Sequence, residues 1–357
     1  MKLVELDGYT LVNLDEADMQ YMNQRLAVSP AVNRGYLAGL ASSPTGGKLS
    51  GTFIYAHPPD YVGQRTMDWG TREWRGLFKW LKELGIDTVI YQAAAWFEVR
   101  ECYYHSKVFS DYRTWNSLDA LLEAVAAEGL TLFLGGLGNL MTFDENITAE
   151  ALTTDCEMQL ACYRELQALY AGGFHGFYIS PETCFSGRRQ PEREKLLNTY
   201  YGEICRGLKT LRPDLPILFS PATFYWADTA QAAYDFLFNI FQGFPFDILC
   251  PQDSIGVLGN QLPHLPETFA VWQRISQALG VELWVNVESF ELSRTGTTQD
   301  FVSADFKRLA VQLAHARQVG RKIVSWEIPY FYSPLSGEGG IQLRQAYLAS
   351  LAAGERE

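Results

Sequence analysis

Four short apolar stretches of this chain each end on a carboxylate. They are Tyr178-Ile179-Ser180-Pro181-Glu182, Leu249-Cys250-Pro251-Gln252-Asp253, Trp284-Val285-Asn286-Val287-Glu288 and Val324-Ser325-Trp326-Glu327. Carboxyl groups can give a proton, take one, or attack an electrophilic carbon, and a pair of them suffices to cleave a glycoside. If the stretches are strands of one parallel barrel, all four acids meet at its C-terminal rim, where such folds keep their chemistry. Strands four and seven then face each other across the mouth, making Glu182 the candidate acid/base and Glu288 the candidate nucleophile. A retaining mechanism needs the two carboxyls ~5 Å apart, and an inverting one ~6.5–9.5 Å with water between them. In the inverting case Asp253 is the candidate base. Each acid alone has a plainer reading as a helix cap or ion-pair partner, and Arg321 or Arg344 could pair with Glu327.

The residues expected around these acids suit a sugar. His57 ends the first strand and Gln92 the second, and Trp96 and Tyr104 lie in the loop that follows. Tyr225 and Trp226 follow the fifth strand. Gln252, Asp253, Asn286, Trp326 and Glu327 complete the expected substrate-binding set. The chain holds 9 Trp, 19 Tyr and 21 Phe, enough to fill a core and still leave rings to stack on sugar faces.

Positioning these residues requires a regular scaffold. After an irregular segment at residues 1–49, with the loop-like Ala41-Ser42-Ser43-Pro44-Thr45-Gly46-Gly47-Lys48 near its end, strand and helix patterns alternate. Strands are expected at 51–56, 87–92, 130–135, 175–180, 216–220, 247–251, 282–287 and 322–326. Helices are expected at 71–84, 117–128, 148–170, 192–211, 229–241, 266–279, 300–319 and 341–351. Trp74, Leu77, Phe78 and Leu81 repeat at helical spacing, and Gly85 and Gly129 stop their helices. Eight such pairs predict an α/β fold, a (β/α)8 TIM barrel at 50–357 with a short N-terminal extension at 1–49. An open doubly wound sheet fits less well, because Tyr55-Ala56-His57-Pro58-Pro59 cannot present a row of N–H groups to a phosphate. Gly135-Gly136-Leu137-Gly138 lacks the dinucleotide pattern and instead suits close backbone approach at the mouth.

Composition excludes other classes. A net charge of -12 and a pI near 5.0 disfavour nucleic acid and anionic membrane as partners. No apolar run approaches the ~20 residues of a membrane span. The five histidines show no HxH or HExxH spacing, so no metal is expected. No GxSxG or GxxxxGK[ST] motif is present, and no cofactor is expected. Six cysteines without CxxC spacing read as buried free thiols, and the acidic N-terminus does not resemble a signal peptide, so a cytoplasmic location is expected.

The run Trp80-Leu81-Lys82-Glu83-Leu84-Gly85-Ile86-Asp87-Thr88-Val89-Ile90-Tyr91-Gln92 and Gly176-Phe177-Tyr178-Ile179-Ser180-Pro181-Glu182, together with residues 247–253 and 284–288, resemble a bacterial TIM-barrel family. That family is catalogued as a domain of unknown function and grouped with the glycoside-hydrolase barrels; the resemblance spans 51–334. The acid placement is similar to that of retaining glycosidases with an acid/base after strand four and a nucleophile on strand seven. Those enzymes carry asparagine before the strand-four acid, where this chain has Pro181, so the contact to the sugar 2-hydroxyl falls to another residue, with Asn286 the candidate. The expectation is a metal-independent O-glycoside hydrolase using Glu182 and Glu288. The alternatives are a carbohydrate-binding barrel without catalysis, or a lyase or isomerase using the same acids for proton transfer.

Overall fold

The computed structural model describes residues 2–6, 9–13, 16–42, 44, 47–55, 67–143, 146–183, 190–222, 230–256, 260–295 and 298–354. Eight short strands rich in Val, Ile, Leu and Phe form the centre: β1 (Gly51–Ile54), β2 (Thr88–Tyr91), β3 (Thr131–Gly135), β4 (Gly176–Ile179), β5 (Ile217–Phe219), β6 (Ile248–Leu249), β7 (Glu282–Leu283 and Val285–Glu288) and β8 (Ile323–Trp326). Each pairs in parallel with the next, from β1 to β7. Trp284 divides β7: the segment before it pairs with β6, and the segment after it pairs with β8. β8 pairs in turn with β1, so the ring is completed through the seventh strand. This is a TIM-barrel-like fold.

Side chains alternate between two faces of each strand. One set, including Phe53, Phe133, Tyr178, Leu218, Trp284 and Val324, packs inside the ring. Phe53 meets Tyr178 edge-on at 5.3 Å between centroids, and Phe133 meets Trp284 at 5.5 Å. The interior is therefore a packed core, and ligands can enter only above it.

The other set packs under a ring of helices: α1 (Thr71–Glu83), α2 (Leu118–Glu128), α3 (Ala149–Tyr170), α4 (Pro191–Leu211), α5 (Ala230–Phe241), α6 (Leu265–Leu279), α7 (Phe306–Ala316) and α8 (Gly337–Gly354). α1 buries Trp74, Phe78 and Leu81, which share one helical face. Gly129 and Gly280 end α2 and α6 at φ 68° and 70°, a conformation open to glycine without the clash of a side chain.

Two segments depart from expectation. The extension, expected to be irregular, forms a hairpin (Lys2–Leu6 with Tyr9–Asn13) and a helix (Glu16–Gly39) that contains Pro30; that proline obscures the helical pattern. The helix expected from residue 300 starts later. Thr298–Ser303 pairs with Phe290–Thr295 as a hairpin, and α7 begins at Phe306 after Asp305, whose side chain accepts from Lys307 N at 2.8 Å. Among the described residues no helix is long and apolar enough to cross a membrane. Five cysteines are buried free thiols, and Cys184 lies outside the described residues.

Candidate active site

Strand periodicity decides what faces the mouth. Residues two and four positions beyond an interior side chain point the same way, higher up the barrel. Tyr178 is interior, so Ser180 and Glu182 follow it; Trp284 is interior, so Asn286 and Glu288 follow it. Both candidate catalytic acids thus rise from the packed core into the C-terminal mouth.

Glu182 is held on both oxygens. The Tyr178 hydroxyl donates to Oε1 at 3.2 Å, and Gln252 Nε2 donates to Oε2 at 2.9 Å and to Ser220 O at 3.0 Å. Desolvation pushes its pKa up to about 7, against the lowering effect of the Gln252 and Tyr178 hydrogen bonds. Glu182 is thereby poised to exchange a proton near neutrality. Its backbone is fixed as well: the Thr142 hydroxyl donates to Glu182 O, and the Tyr201 hydroxyl donates to Pro181 O at 3.3 Å.

Glu288, only 2 % exposed, accepts the Gly256 backbone N–H on Oε2 at 2.6 Å. The approach requires glycine, since a Cβ at 256 would lie 2.4 Å from Phe290 O and 2.9 Å from Glu288 Oε2. Asn286, 1 % exposed, donates Nδ2 to Ser220 Oγ at 3.2 Å, and its buried Oδ1 has no partner among the described residues.

Asp253 has a different place from the substrate-contacting or basic one expected. It follows Gln252 by one position and so turns to the outside of the barrel, fully buried. Its Oδ2 accepts Gln312 Nε2 at 2.6 Å, and its Oδ1 accepts the N–H of Ile255 at 3.2 Å and of Glu288 at 3.3 Å. Desolvation pushes its pKa up to about 6, and the Gln312 hydrogen bond and the Arg308 charge oppose this. Arg308 Nη2 donates to Glu288 O and Phe290 O, both at 2.7 Å. Asp253, Arg308 and Gln312 therefore grip the end of β7 from behind.

Glu327 joins Trp326 through a cis peptide bond and is fully buried. Its Oε2 accepts Tyr55 N at 3.2 Å, and its Oε1 has no hydrogen-bond partner among the described residues. Desolvation pushes its pKa up to about 8. Neither arginine considered as its partner takes that part: Arg321 lies 3.5 Å from Glu282, and Arg344 lies 2.6 Å from Glu83.

The aromatic rim divides similarly. Trp326 Nε1 donates to Gln92 Oε1 at 2.8 Å, linking two expected binding residues. Tyr55, not among the expected binding residues, meets Trp96 at 5.1 Å and Trp326 at 6.4 Å, completing an aromatic cluster. Trp96 packs so closely on Gly138 that a Cβ there would lie 2.0 Å from its ring. Tyr104 is a correction: it is fully buried, and its hydroxyl donates to Glu165 Oε2 on α3 at 3.0 Å, away from the mouth. The turn that carries it down against α3 leaves no signal in the local sequence. His57, Tyr225 and Trp226 lie outside the described residues. Tyr178, Ser220, Gly256, Arg308 and Gln312 were also missed; strand parity could have identified only the first two.

A family model described as a domain of unknown function, DUF4434, matches residues 49–337. The chain belongs to the DUF4434 family. No curated protein matches this sequence. Among solved structures, this DUF4434 chain resembles a "putative alpha-L-fucosidase" from Bacteroides thetaiotaomicron, with 22% identity and a TM-score of 0.70 over 88% of this chain and 98% of the other. It also resembles a GH113 beta-1,4-mannanase, with 13% identity and a TM-score of 0.50 over 87% and 99% of the two chains. A GH2 beta-galacturonidase from Eisenbergiella tayi matches with 12% identity and a TM-score of 0.52, over 87% of this chain and 51% of the other. These likenesses establish the fold. Among the described residues no three His, Cys, Asp or Glu side chains gather as a metal-binding group.

Proposed function

We propose that this protein is an O-glycoside hydrolase that works by a retaining, two-carboxylate mechanism. The observation that carries this reading is the different setting of the two acids at one mouth: Glu182 has a pKa of about 7, and Glu288 accepts a backbone N–H. Glu182 in its protonated form donates to the glycosidic oxygen as the bond to the leaving sugar breaks. Glu288 as carboxylate attacks the anomeric carbon and forms a glycosyl ester. Glu182, now ionised, then takes a proton from the water that cleaves the ester. Gln252 and Tyr178 aim Glu182, and the Gly256 N–H orients Glu288. The Asn286 Oδ1 is the acceptor proposed for the sugar 2-hydroxyl, and Trp96, Trp326 and Tyr55 form the stacking wall. The names of the structural neighbours, a "putative alpha-L-fucosidase", a beta-1,4-mannanase and a beta-galacturonidase, support a carbohydrate substrate.

The test is a screen of aryl α-L-fucoside, β-mannoside, β-xyloside and β-galacturonide substrates with the parent protein, Glu182→Gln and Glu288→Gln. Turnover with retained anomeric configuration, lowered about 10²–10⁴-fold by Glu182→Gln, is expected. Saturable binding without turnover would replace this reading with a carbohydrate-binding barrel, and an unsaturated product would replace it with a lyase.

A further inference from the structure

The N-terminal helix Glu16–Gly39 precedes the segment matched by the family model, yet its second half reaches the β6–α6 loop at the mouth. The contact is specific. Asn33, 9 % exposed, donates Nδ2 to Asn260 O at 3.2 Å and accepts Leu262 N on Oδ1 at 2.8 Å. Beside it, Gln261 Nε2 donates to Ser29 Oγ at 3.3 Å. The end of the helix is anchored separately, by Lys307 Nζ of α7 donating to Leu37 O at 2.6 Å.

From Asn260 the chain of bonds runs inward. Its Nδ2 donates to Asp253 O at 2.8 Å and its N–H to Ser254 O at 3.0 Å, closing the loop on its own start. Ser254 has φ 55°, a left-handed conformation unusual for a residue with a side chain. Two residues on, Gly256 donates its N–H to Glu288 Oε2. A loop is costly to order, and one side chain that satisfies two buried backbone groups offsets part of that cost.

We propose that Asn33 is a positioning residue: by closing the β6–α6 loop it sets the Gly256 N–H that orients the Glu288 carboxylate. The catalytic meaning of this rests on Glu288 being the reacting carboxylate, as proposed above. Residues 29–40 then act as a strap on the β6–α6 loop. The plainer role for the helix is cover alone, since Tyr36, Leu37 and Leu40 pack on the core.

The two roles separate in an experiment that needs no substrate. The 357-residue chain is labelled with 15N-glycine, and the Gly256 amide is identified as the resonance that moves upfield in Glu288→Gln. In Asn33→Ala the same resonance is expected to move in the same direction and to exchange with solvent at least about tenfold faster. Asn33→Asp, which keeps the acceptor for Leu262 N, is expected to fall between the two. If Asn33→Ala does not fold, Gln261→Ala at the partly exposed edge of the contact is read the same way. A Gly256 resonance and exchange rate equal to those of the parent in the folded variants would overturn the proposal and leave the strap as cover. Inactivity on every glycoside tried would count against the hydrolase reading and leave this result standing.

Discussion

At the scale of single residues, the acids at the mouth differ because their surroundings differ. Glu182 keeps a part-open side and two donors, and desolvation outweighs both to bring its pKa to about 7. The protonated form is the one required to expel a leaving sugar, so turnover is expected to fall as pH rises through about 7. Gln252 stabilises the charged form of Glu182; Gln252→Leu is therefore expected to move the alkaline limb of the pH–rate profile to higher pH. An unmoved limb would remove Gln252 from that role. Glu327 has a single donor and a pKa of about 8. Its folded pKa is raised above the unfolded value, so its contribution to stability is full below about pH 4.5 and is lost as pH rises to about 8. Glu327→Gln keeps an acceptor for Tyr55 N and removes the charge, so above pH 8 it is expected to stabilise the fold by an amount on the order of a few kcal/mol. Chemical denaturation of parent and variant at pH 5 and pH 9 would measure this, and equal stability at pH 9 would contradict it.

At the scale of elements, β7 is gripped from both sides. Inside, the β6–α6 loop offers the Gly256 N–H; outside, Asp253, Arg308 and Gln312 bind its backbone. Gln312→Leu would leave Asp253 Oδ2 and Glu288 O short of a donor, and is expected to cost about 2–4 kcal/mol in urea unfolding. A cost below 0.5 kcal/mol, on the order of a typical surface substitution, would show the grip to be incidental. Gly256→Ala places a Cβ against Phe290 O and Glu288 Oε2. It is expected to lower kcat about 10²-fold through misplacement of the carboxylate, with circular dichroism unchanged; parent-like kcat would mean the loop yields freely.

At the scale of the whole molecule, the barrel is a filled ring that bears a polar mouth. Phe133 lies in its interior against Trp284, and Phe133→Ala is expected to cost about 3–5 kcal/mol, because the surrounding strands cannot collapse into the space. Global stability is expected to fall between pH 5 and pH 8, since Asp253, Glu182 and Glu327 all have pKa values raised by burial, to about 6, 7 and 8. A profile flat across that range would show these acids to be less buried than their contacts imply.

The order of strands and helices was legible in the sequence, because apolar periodicity and terminal glycines such as Gly129 are local signals. The placement of Glu182 and Glu288 at the ends of strand segments followed from that order. Local signals do not extend to contacts between distant segments. Only the tertiary structure turned Asp253 outward onto Gln312, 59 residues away, and Tyr104 down onto Glu165, 61 residues away. It alone laid Asn33 against Leu262, across 229 residues of chain. Those contacts depend on which buried donor meets which acceptor once the ring has closed, and no single stretch of sequence contains both partners.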